Sequence, residues 1–183
     1  GKNNQPIPIT TLGGAWNLGG AWSADGTKIA YTDYDENKTL QVYIAEISDA
    51  KIEKKAIASL GMGGKAGPIA WSPNDEQIIM IVRDENNDYT SSVWVIPVSD
   101  DNKAVEINLP DGKIIVREPY WSADSSKVLF NIVSYENRDI EGFYWFDIKN
   151  NKLLHMLNLN AAANINPDVD SIGSMFPITT NLS

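Results

Sequence analysis

One ten-residue phrase occurs three times in this chain and limits what the chain can fold into. It begins at Trp22 as WSADGTKIAY, at Trp71 as WSPNDEQIIM and at Trp121 as WSADSSKVLF. Successive tryptophans are 49 and 50 residues apart. Because a fixed period of roughly 20–50 residues is typical of solenoids, propellers and other arrays, the sequence predicts a repeat protein.

Each period contains four short segments that favour β-strands, joined by turns. The residues after the tryptophan predict a tight turn in which Gly26 can take a positive φ. An apolar strand, an acidic loop, a strand rich in β-branched and aromatic residues and a more polar outer strand follow. No window sustains the period of a helix. Four antiparallel strands in each period predict one blade of a β-propeller.

The predicted fold class is therefore all-β, a β-propeller of four-stranded blades within a single domain, residues 1–183. Three complete blades are expected, at about 13–62, 63–112 and 113–160. Partial terminal blades are expected from strands at 6–12 and at 161–183, where Ile165 stands in the tryptophan position.

The incomplete ends leave three arrangements open. The chain is a fragment of a larger propeller, or it closes as four blades, with strand 6–12 completing the blade that Ile165 begins. Alternatively, two chains meet edge to edge, because an open array exposes sheet edges and apolar blade faces. A fragment or a homo-oligomer is favoured over a closed monomer.

Charge and composition restrict the partners. The chain has 15 basic and 24 acidic residues and a formal net charge of −9, which disfavours nucleic acid and anionic membrane surfaces. A cationic ligand or a basic protein surface fits this charge better, although acidity also serves solubility alone. There are no cysteines, so disulfides, thiolate metal sites and a cysteine nucleophile are excluded. No segment is long and apolar enough to predict a membrane span.

The Trp-Ser-(Ala/Pro)-(Asp/Asn) phrase followed by an apolar strand resembles the WD-like propeller repeat of the TolB family. The segments VYIAEISDAK and VWVIPVSDDNKAVEIN resemble the strand, turn and outer strand that follow in that family, so the resemblance covers nearly the whole chain. The second copy departs from it with Asn74 for Asp and Asp75 for Gly, and the third with Ser125 for Gly. These departures predict looser turns.

The resemblance implies a binding module in bacteria, located in the periplasm or outside the cell, with a protein as partner. The chain has no apolar signal segment at residues 1–5, so an exported protein would begin here after a removed leader. Similar repeats also form the propeller of prolyl-oligopeptidase-type peptidases and the body of some polysaccharide lyases, so the fold does not settle the chemistry. We expect a non-catalytic binding or scaffolding propeller; the alternative is the propeller portion of a larger enzyme.

Candidate ligand-binding carboxylates lie in the loops between second and third strands: Asp33, Asp35, Asp84, Asp88, Glu136 and Asp139. Because strands alternate in direction, these loops share one face of the propeller, opposite the turns that follow the tryptophans. Two loops begin like a calcium loop, but Lys38 and Tyr89 stand where glycine is needed, and Ile44 and Val95 where the closing glutamate belongs. Solvated acidic turns are therefore favoured over calcium sites, and no cofactor is expected.

Three further candidates, Arg117, Glu118 and Tyr120, precede the third motif tryptophan. They fall on the predicted innermost strand, where side chains face the central channel, whereas the equivalent segments are rich in glycine and alanine. No Gly-x-Ser-x-Gly elbow occurs, and His155 has no second histidine or cysteine to join it in a metal site. Trp94 and Trp145 are expected at equivalent strand positions, which favours packing over stacking on a ligand for both.

Overall fold

Three antiparallel β-sheets follow one another along the chain. The computed structural model describes residues 20–47, 52–62, 64–84, 86, 90–99 and 103–158. The expected strands at 6–12 and 161–183 lie outside the described residues, as does Asp88.

The first two sheets, the first and second blades, each contain four strands paired in chain order. The strands of the first blade are β1 (Gly20–Trp22), β2 (Lys28–Tyr34), β3 (Thr39–Ile47) and β4 (Ile52–Met62). Those of the second blade are β5 (Gly64–Trp71), β6 (Gln77–Asp84), β7 (Ser91–Pro97) and β8 (Val105–Glu106).

The third blade has the same order, except that its first strand is divided. Two short strands, β9 (Ile114–Val116) and β10 (Tyr120–Trp121), both pair with β11 (Lys127–Ser134). They are followed by β12 (Gly142–Asp147) and β13 (Lys152–Asn158), with a 3₁₀ turn at Arg138–Ile140 before β12. The predicted fold class, four-stranded antiparallel blades of a β-propeller, is confirmed. In the described part of the chain, no helix is long and apolar enough to cross a membrane.

Adjacent blades are joined by two apolar interfaces. The period of two along a strand sends alternate side chains of β6 to opposite neighbours. Ile78 and Met80 are buried against the first blade, whereas Ile79 and Ile81 are buried against the third. This explains why the second and third strands of a blade are apolar on both faces.

The motif tryptophans join the blades through hydrogen bonds. The indole Nε1–H of Trp71 donates to the Ala21 carbonyl oxygen at 2.9 Å, and that of Trp121 donates to the Ala70 carbonyl oxygen at 3.2 Å. Each acceptor immediately precedes the tryptophan of the preceding blade. We call the face that carries the motif tryptophan the leading face of a blade and the opposite face its trailing face.

The expectation of looser turns in the second and third copies is wrong. Gly26, Asp75 and Ser125 all have positive φ, at 71°, 57° and 59°. Each turn is closed by the same backbone hydrogen bond, of 2.9–3.0 Å. The two non-glycine residues also bridge to the turn of the preceding blade. Asp75 carboxylate oxygens accept from the amides of Ala24 at 2.6 Å and Asp25 at 3.2 Å, and the Ser125 hydroxyl accepts from the Asn74 amide at 3.1 Å.

The expected equivalence of Trp94 and Trp145 is also wrong. Trp94 pairs with Met80, nine residues after its motif tryptophan, whereas Trp145 pairs with Leu129, eight residues after its own. A one-residue difference turns a side chain to the other face of a strand. Trp94 therefore packs into the interface with the first blade, and Trp145 lies on the trailing face of the third blade.

Candidate functional site

The first strand of the third blade contains a bulge that exposes three of the candidate residues. Val116 pairs with Ile132 and Tyr120 with Leu129, so the bulged strand has one residue more than its partner in this interval. Pro119 lies within the bulge, is buried, and has no N–H to donate to the sheet. The first strand is therefore divided into two parts, and exposed side chains lie between them.

Arg117, Glu118 and Tyr120 are all exposed, Tyr120 by 62%. The Arg117 amide donates to the Asn131 carbonyl oxygen at 3.0 Å and holds the backbone at the start of the bulge. None of the three side chains forms a hydrogen bond or an ion pair within the described part of the chain. A cation, an anion and an aromatic ring are therefore exposed within four consecutive residues of this segment.

The second blade has the same bulge without these side chains. Its register shifts by one residue between Ala66 and Ile69, where Gly67 occupies the position of Arg117. A Cβ at Gly67 would come within 2.7 Å of the Ile81 carbonyl oxygen, so a side chain does not fit there. The glycine-rich sequence of this segment indicated that it lacks the side chains found in the third blade.

The acidic loops place their carboxylates in their own turns. Asp35 Oδ1 accepts hydrogen bonds from the amides of Asn37 and Thr39, both at 2.9 Å, and its Oδ2 accepts from Gln41 Nε2 at 3.1 Å. These bonds, the one from Thr39 first, lower the pKa of Asp35 below its ordinary value. Asp84 Oδ1 likewise accepts from the Asn86 amide, at 2.7 Å. These two carboxylates stabilise loops, as expected for acidic turns.

The remaining described acidic candidates have different surroundings. Glu136 forms an ion pair with Lys113 at 2.8 Å, and the hydrogen bond within this pair lowers the pKa of Glu136 and raises that of Lys113. The Asp139 side chain is exposed in the 3₁₀ turn. Asp33 accepts from the following amide, that of Tyr34, at 2.8 Å. The candidates are distributed over separate loops.

Metal-ligating groups are not clustered in the described ranges. No three His, Cys, Asp or Glu side chains among them are arranged to hold a metal ion. The His155 ring stacks on Tyr144 with ring centroids 4.4 Å apart, and its Nε2 lies 3.2 Å from the Glu141 carbonyl oxygen. These contacts tie β13 to β12 and to the loop before it.

A groove on the trailing face of the third blade was not anticipated from the sequence. It has a volume of about 570 Å³, and it is lined by Trp145, Leu154, Met156, Lys127, Asp147 and the turn residues Ser122, Ala123 and Asp124. One sequence feature could have indicated that Trp145 lies on this face. The spacing from the motif tryptophan to the strand tryptophan is 23 residues in the second blade and 24 in the third.

No protein-family model matches the chain, and no curated protein matches it. Several solved structures are similar to this chain. TolB from Acinetobacter baumannii superposes with a TM-score of 0.54 at 20% identity, over 75% of this chain and 31% of that one. A putative TolB from Agrobacterium tumefaciens gives a TM-score of 0.52 at 17% identity, over 77% of this chain and 50% of that one.

This chain has the fold of a TolB-like β-propeller. The same fold resemblance extends to an acylaminoacyl peptidase from Pyrococcus horikoshii, with a TM-score of 0.52 at 14% identity over 75% of this chain and 24% of that one. The chain thus spans half or less of the length of each of these neighbours. At these identities the similarity establishes the TolB-like fold and leaves the role to be argued from the residues.

Proposed function

We propose that this chain is a non-catalytic binding or scaffolding module of the bacterial cell envelope and that its partner is a protein. The observation that carries the proposal is the exposed set Arg117, Glu118 and Tyr120 on the bulged edge strand. In a closed propeller, the first strand of each blade lines the central channel.

The chemistry of this set suits protein recognition. Arginine and tyrosine are enriched among the residues that dominate binding energy at protein interfaces. An arginine can bind a carboxylate through two parallel hydrogen bonds, and the neighbouring Glu118 can pair with a cation of the partner. The bulge fixes their backbone, which reduces the conformational entropy lost on binding.

The cellular location is proposed from resemblance. The repeat motif resembles that of the TolB family, and two of the structural neighbours bear the name TolB. The absence of cysteine in the sequence is compatible with an exported protein but does not require one.

Site-directed photo-crosslinking tests the proposal. A photo-reactive amino acid at position 120 should give discrete adducts with proteins of a bacterial envelope extract. The same group at position 135 is the control, because Tyr135 is 61% exposed but lies in another loop. Adding Arg117→Ala and Glu118→Ala should abolish the adducts at position 120. Adducts that persist in the double variant would overturn the proposal.

The double variant must also fold normally for this test to be decisive. Since neither side chain has a described partner, we expect the free energy of unfolding to change by less than about 0.5 kcal/mol. Urea denaturation of the variant and of the native chain measures this difference.

The second candidate function is the propeller portion of a larger enzyme. It is favoured by the peptidase neighbour, which matches with a TM-score of 0.52 while this chain covers 24% of its length. The reading frame on both sides of the chain separates the two functions. An adjoining hydrolase domain would support the enzyme, and its absence would support the binding module.

A further inference from the structure

The turns that follow the motif tryptophans differ in the hydrogen-bond donors that they offer to the next blade. In the first blade, the amides of Ala24 and Asp25 both donate to the Asp75 carboxylate, at 2.6 and 3.2 Å. In the second blade a proline stands in place of the alanine and has no N–H. The one remaining amide, that of Asn74, donates to the Ser125 hydroxyl at 3.1 Å. Two donors are thus matched by a carboxylate and one donor by a hydroxyl.

The turn of the third blade has the same two donors as that of the first. The sequence Ser-Ala-Asp of residues 23–25 recurs at 122–124. In both turns the serine carbonyl oxygen accepts the closing backbone bond, at 3.0 and 2.9 Å, and the serine hydroxyl donates to the aspartate Oδ1, at 2.7 and 2.6 Å. Because the two backbones are alike, the amides of Ala123 and Asp124 point to the trailing face of the third blade.

Neither amide has a partner in the part of the chain that the structure describes. Ala123 and Asp124 are exposed and line the groove of the trailing face, together with Lys127. A lysine stands at the same position of the first blade, Lys28, whereas the second blade has Gln77 there. A positive charge therefore accompanies each pair of amides and not the single amide, as a carboxylate ligand favours.

The groove does not have the shape that receives a further blade of the same kind. At the two internal interfaces, the motif tryptophan packs where the preceding blade has an alanine, Ala21 or Ala70. Tyr120 has the same register position in the third blade, since it pairs with Leu129 as Ala70 pairs with Ile79. The phenol ring takes space that the indole uses elsewhere, so a following tryptophan cannot pack there in the same way.

The sequence also restricts the origin of the carboxylate. The degenerate fourth copy of the repeated phrase begins at Ile165, and Val169 stands where Asp75 and Ser125 stand in the second and third copies. Valine has no acceptor in its side chain. The fourth copy therefore does not supply a carboxylate from the position that the second copy uses.

We propose that this turn and its groove bind an acidic side chain of a protein partner, together with an apolar residue beside it. The carboxylate accepts hydrogen bonds from the amides of Ala123 and Asp124, as that of Asp75 does in the first blade. The apolar residue contacts Trp145 and Met156, and the groove volume of about 570 Å³ suits a short peptide segment. The net charge of −9 slows the approach of an acidic partner, but the contact itself consists of short, charge-assisted hydrogen bonds.

Nuclear magnetic resonance of the isotope-labelled chain tests the proposal. The probe is the peptide acetyl-Phe-Ala-Asp-Ala-Phe-amide, in which apolar rings flank the only carboxylate, and its counterpart has Asn in place of Asp. The amide proton signals of Ala123 and Asp124 should move downfield and saturate with the first peptide. Affinity for the second peptide should be at least about tenfold lower, because hydrogen bonds to a charged acceptor are the stronger ones.

Two substitutions at one position separate the amide from its side chain. Ala123→Pro removes a donor, and Pro73 in the second blade shows that this turn accommodates proline. It should raise the dissociation constant at least about tenfold, whereas Ala123→Gly, the matched control, keeps the N–H and should stay within about twofold. Met156→Ala should weaken binding about two- to fivefold and leave the signal of Asp124 responsive. The asparagine peptide keeps the test decisive if Ala123→Pro folds poorly by circular dichroism.

Several outcomes would overturn the proposal. One is that neither amide signal moves, which would also result if a carboxylate of the same chain already occupied both amides. Another is equal affinity for the two peptides. Binding of free 3-phenylpropanoate without binding of the peptide would assign the site to a small molecule instead of a protein. Binding that is lost in Arg117→Ala and kept in Ala123→Pro would place the carboxylate elsewhere. The inference does not rest on the proposed function, whose adducts at position 120 are tested through Arg117 and Glu118.

Discussion

The fourth residue after each motif tryptophan shapes the backbone of its own turn. Where it is not glycine, its side chain also bonds to the preceding turn. Its φ is positive in all three turns, a conformation that costs an ordinary residue roughly 1–2 kcal/mol relative to glycine. Asp75 and Ser125 adopt this conformation despite its cost. The side chain of each accepts a hydrogen bond from the turn of the preceding blade. Gly26 has no heavy atom within 4 Å of the position a Cβ would occupy. The non-glycine residues therefore occur where a preceding turn is within reach.

Asp75→Gly tests this trade-off. The substitution removes the backbone strain but also removes a charged acceptor for two amides, so we expect a net loss of about 0.5–1.5 kcal/mol in the free energy of unfolding. Gly26→Asp is the matched control, and it should lose roughly 1–2 kcal/mol because it adds backbone strain without a bridging partner. Urea denaturation measures both, and a more stable Asp75→Gly chain would contradict the argument.

The aspartates of the first and third turns predict an acid sensitivity. Hydrogen bonds from the Thr27 amide and the Ser23 hydroxyl lower the pKa of Asp25 from 3.8 to about 2. Those from the Ser122 hydroxyl and the Ser126 amide do the same for Asp124. Because the folded-state pKa is depressed, this stabilisation is present above about pH 4 and is lost as the pH falls towards 2.

An Asp25→Asn, Asp124→Asn double variant checks that sensitivity. The second blade shows that asparagine fits the turn, since Asn74 Oδ1 accepts from the Ser72 hydroxyl at 2.7 Å. The native chain should be the more stable one at pH 7, and its advantage should shrink between pH 4 and pH 2. Denaturant midpoints across this range measure it, and a difference that does not vary with pH would contradict the assignment.

At the scale of elements, the outer hairpin of the third blade depends on close backbone contact. Gly142 begins β12 with φ at 144°, and a Cβ there would overlap the Leu157 carbonyl oxygen of β13. Next to it, the Tyr144 hydroxyl donates to the Ile140 carbonyl oxygen at 2.7 Å, and the ring stacks on His155. Glycine is required because the strands approach too closely for a side chain.

Gly142→Ala should therefore destabilise the chain by roughly 2–5 kcal/mol, from positive φ and overpacking together. Gly112→Ala is the matched control, since Gly112 also has positive φ, at 123°, but the nearest heavy atom to its Cβ position is 3.7 Å away. Only the backbone cost of roughly 1–3 kcal/mol applies there. Thermal unfolding of both variants measures the difference, and equal losses would refute the steric argument.

The strands of the blades could be predicted from the sequence more accurately than the contacts between side chains. The motif Trp-Ser-x-Asp and the alternating apolar strands are local signals, and they identified the blade fold. The face on which Trp145 lies depends on a single residue of register, because side chains alternate with a period of two. The Asp75 bridge could not be predicted, since its partner Ala24 is 51 residues away.

The candidate site was predictable only in part. The glycine- and alanine-rich sequences of the equivalent segments marked Arg117, Glu118 and Tyr120 as unusual, and the structure places all three on the surface. The acidic residues gave no sign of their individual roles. Whether a carboxylate faces a ligand or its own loop amides, as Asp35 does, depends on the path of the loop backbone.

At the scale of the whole molecule, stability is distributed over blades and the interfaces between them. The first blade contacts the second through one apolar cluster and the third blade contacts it through another. In such an array each unit is stabilised mainly by its neighbours, so an end unit opens more easily than a central one.

Trp71→Phe should therefore loosen the first blade selectively. It removes the 2.9 Å hydrogen bond to Ala21 across an interface where Trp71 is 8% exposed, at a cost of about 1–3 kcal/mol. Hydrogen exchange should accelerate in β2 and β3 and remain unchanged in β11 and β12. Trp94→Phe is the control of equal volume, because its Nε1 donates at 3.0 Å to Ser92 of its own blade. If both variants accelerated exchange equally in the first and third blades, the molecule would be opening as one cooperative unit rather than blade by blade.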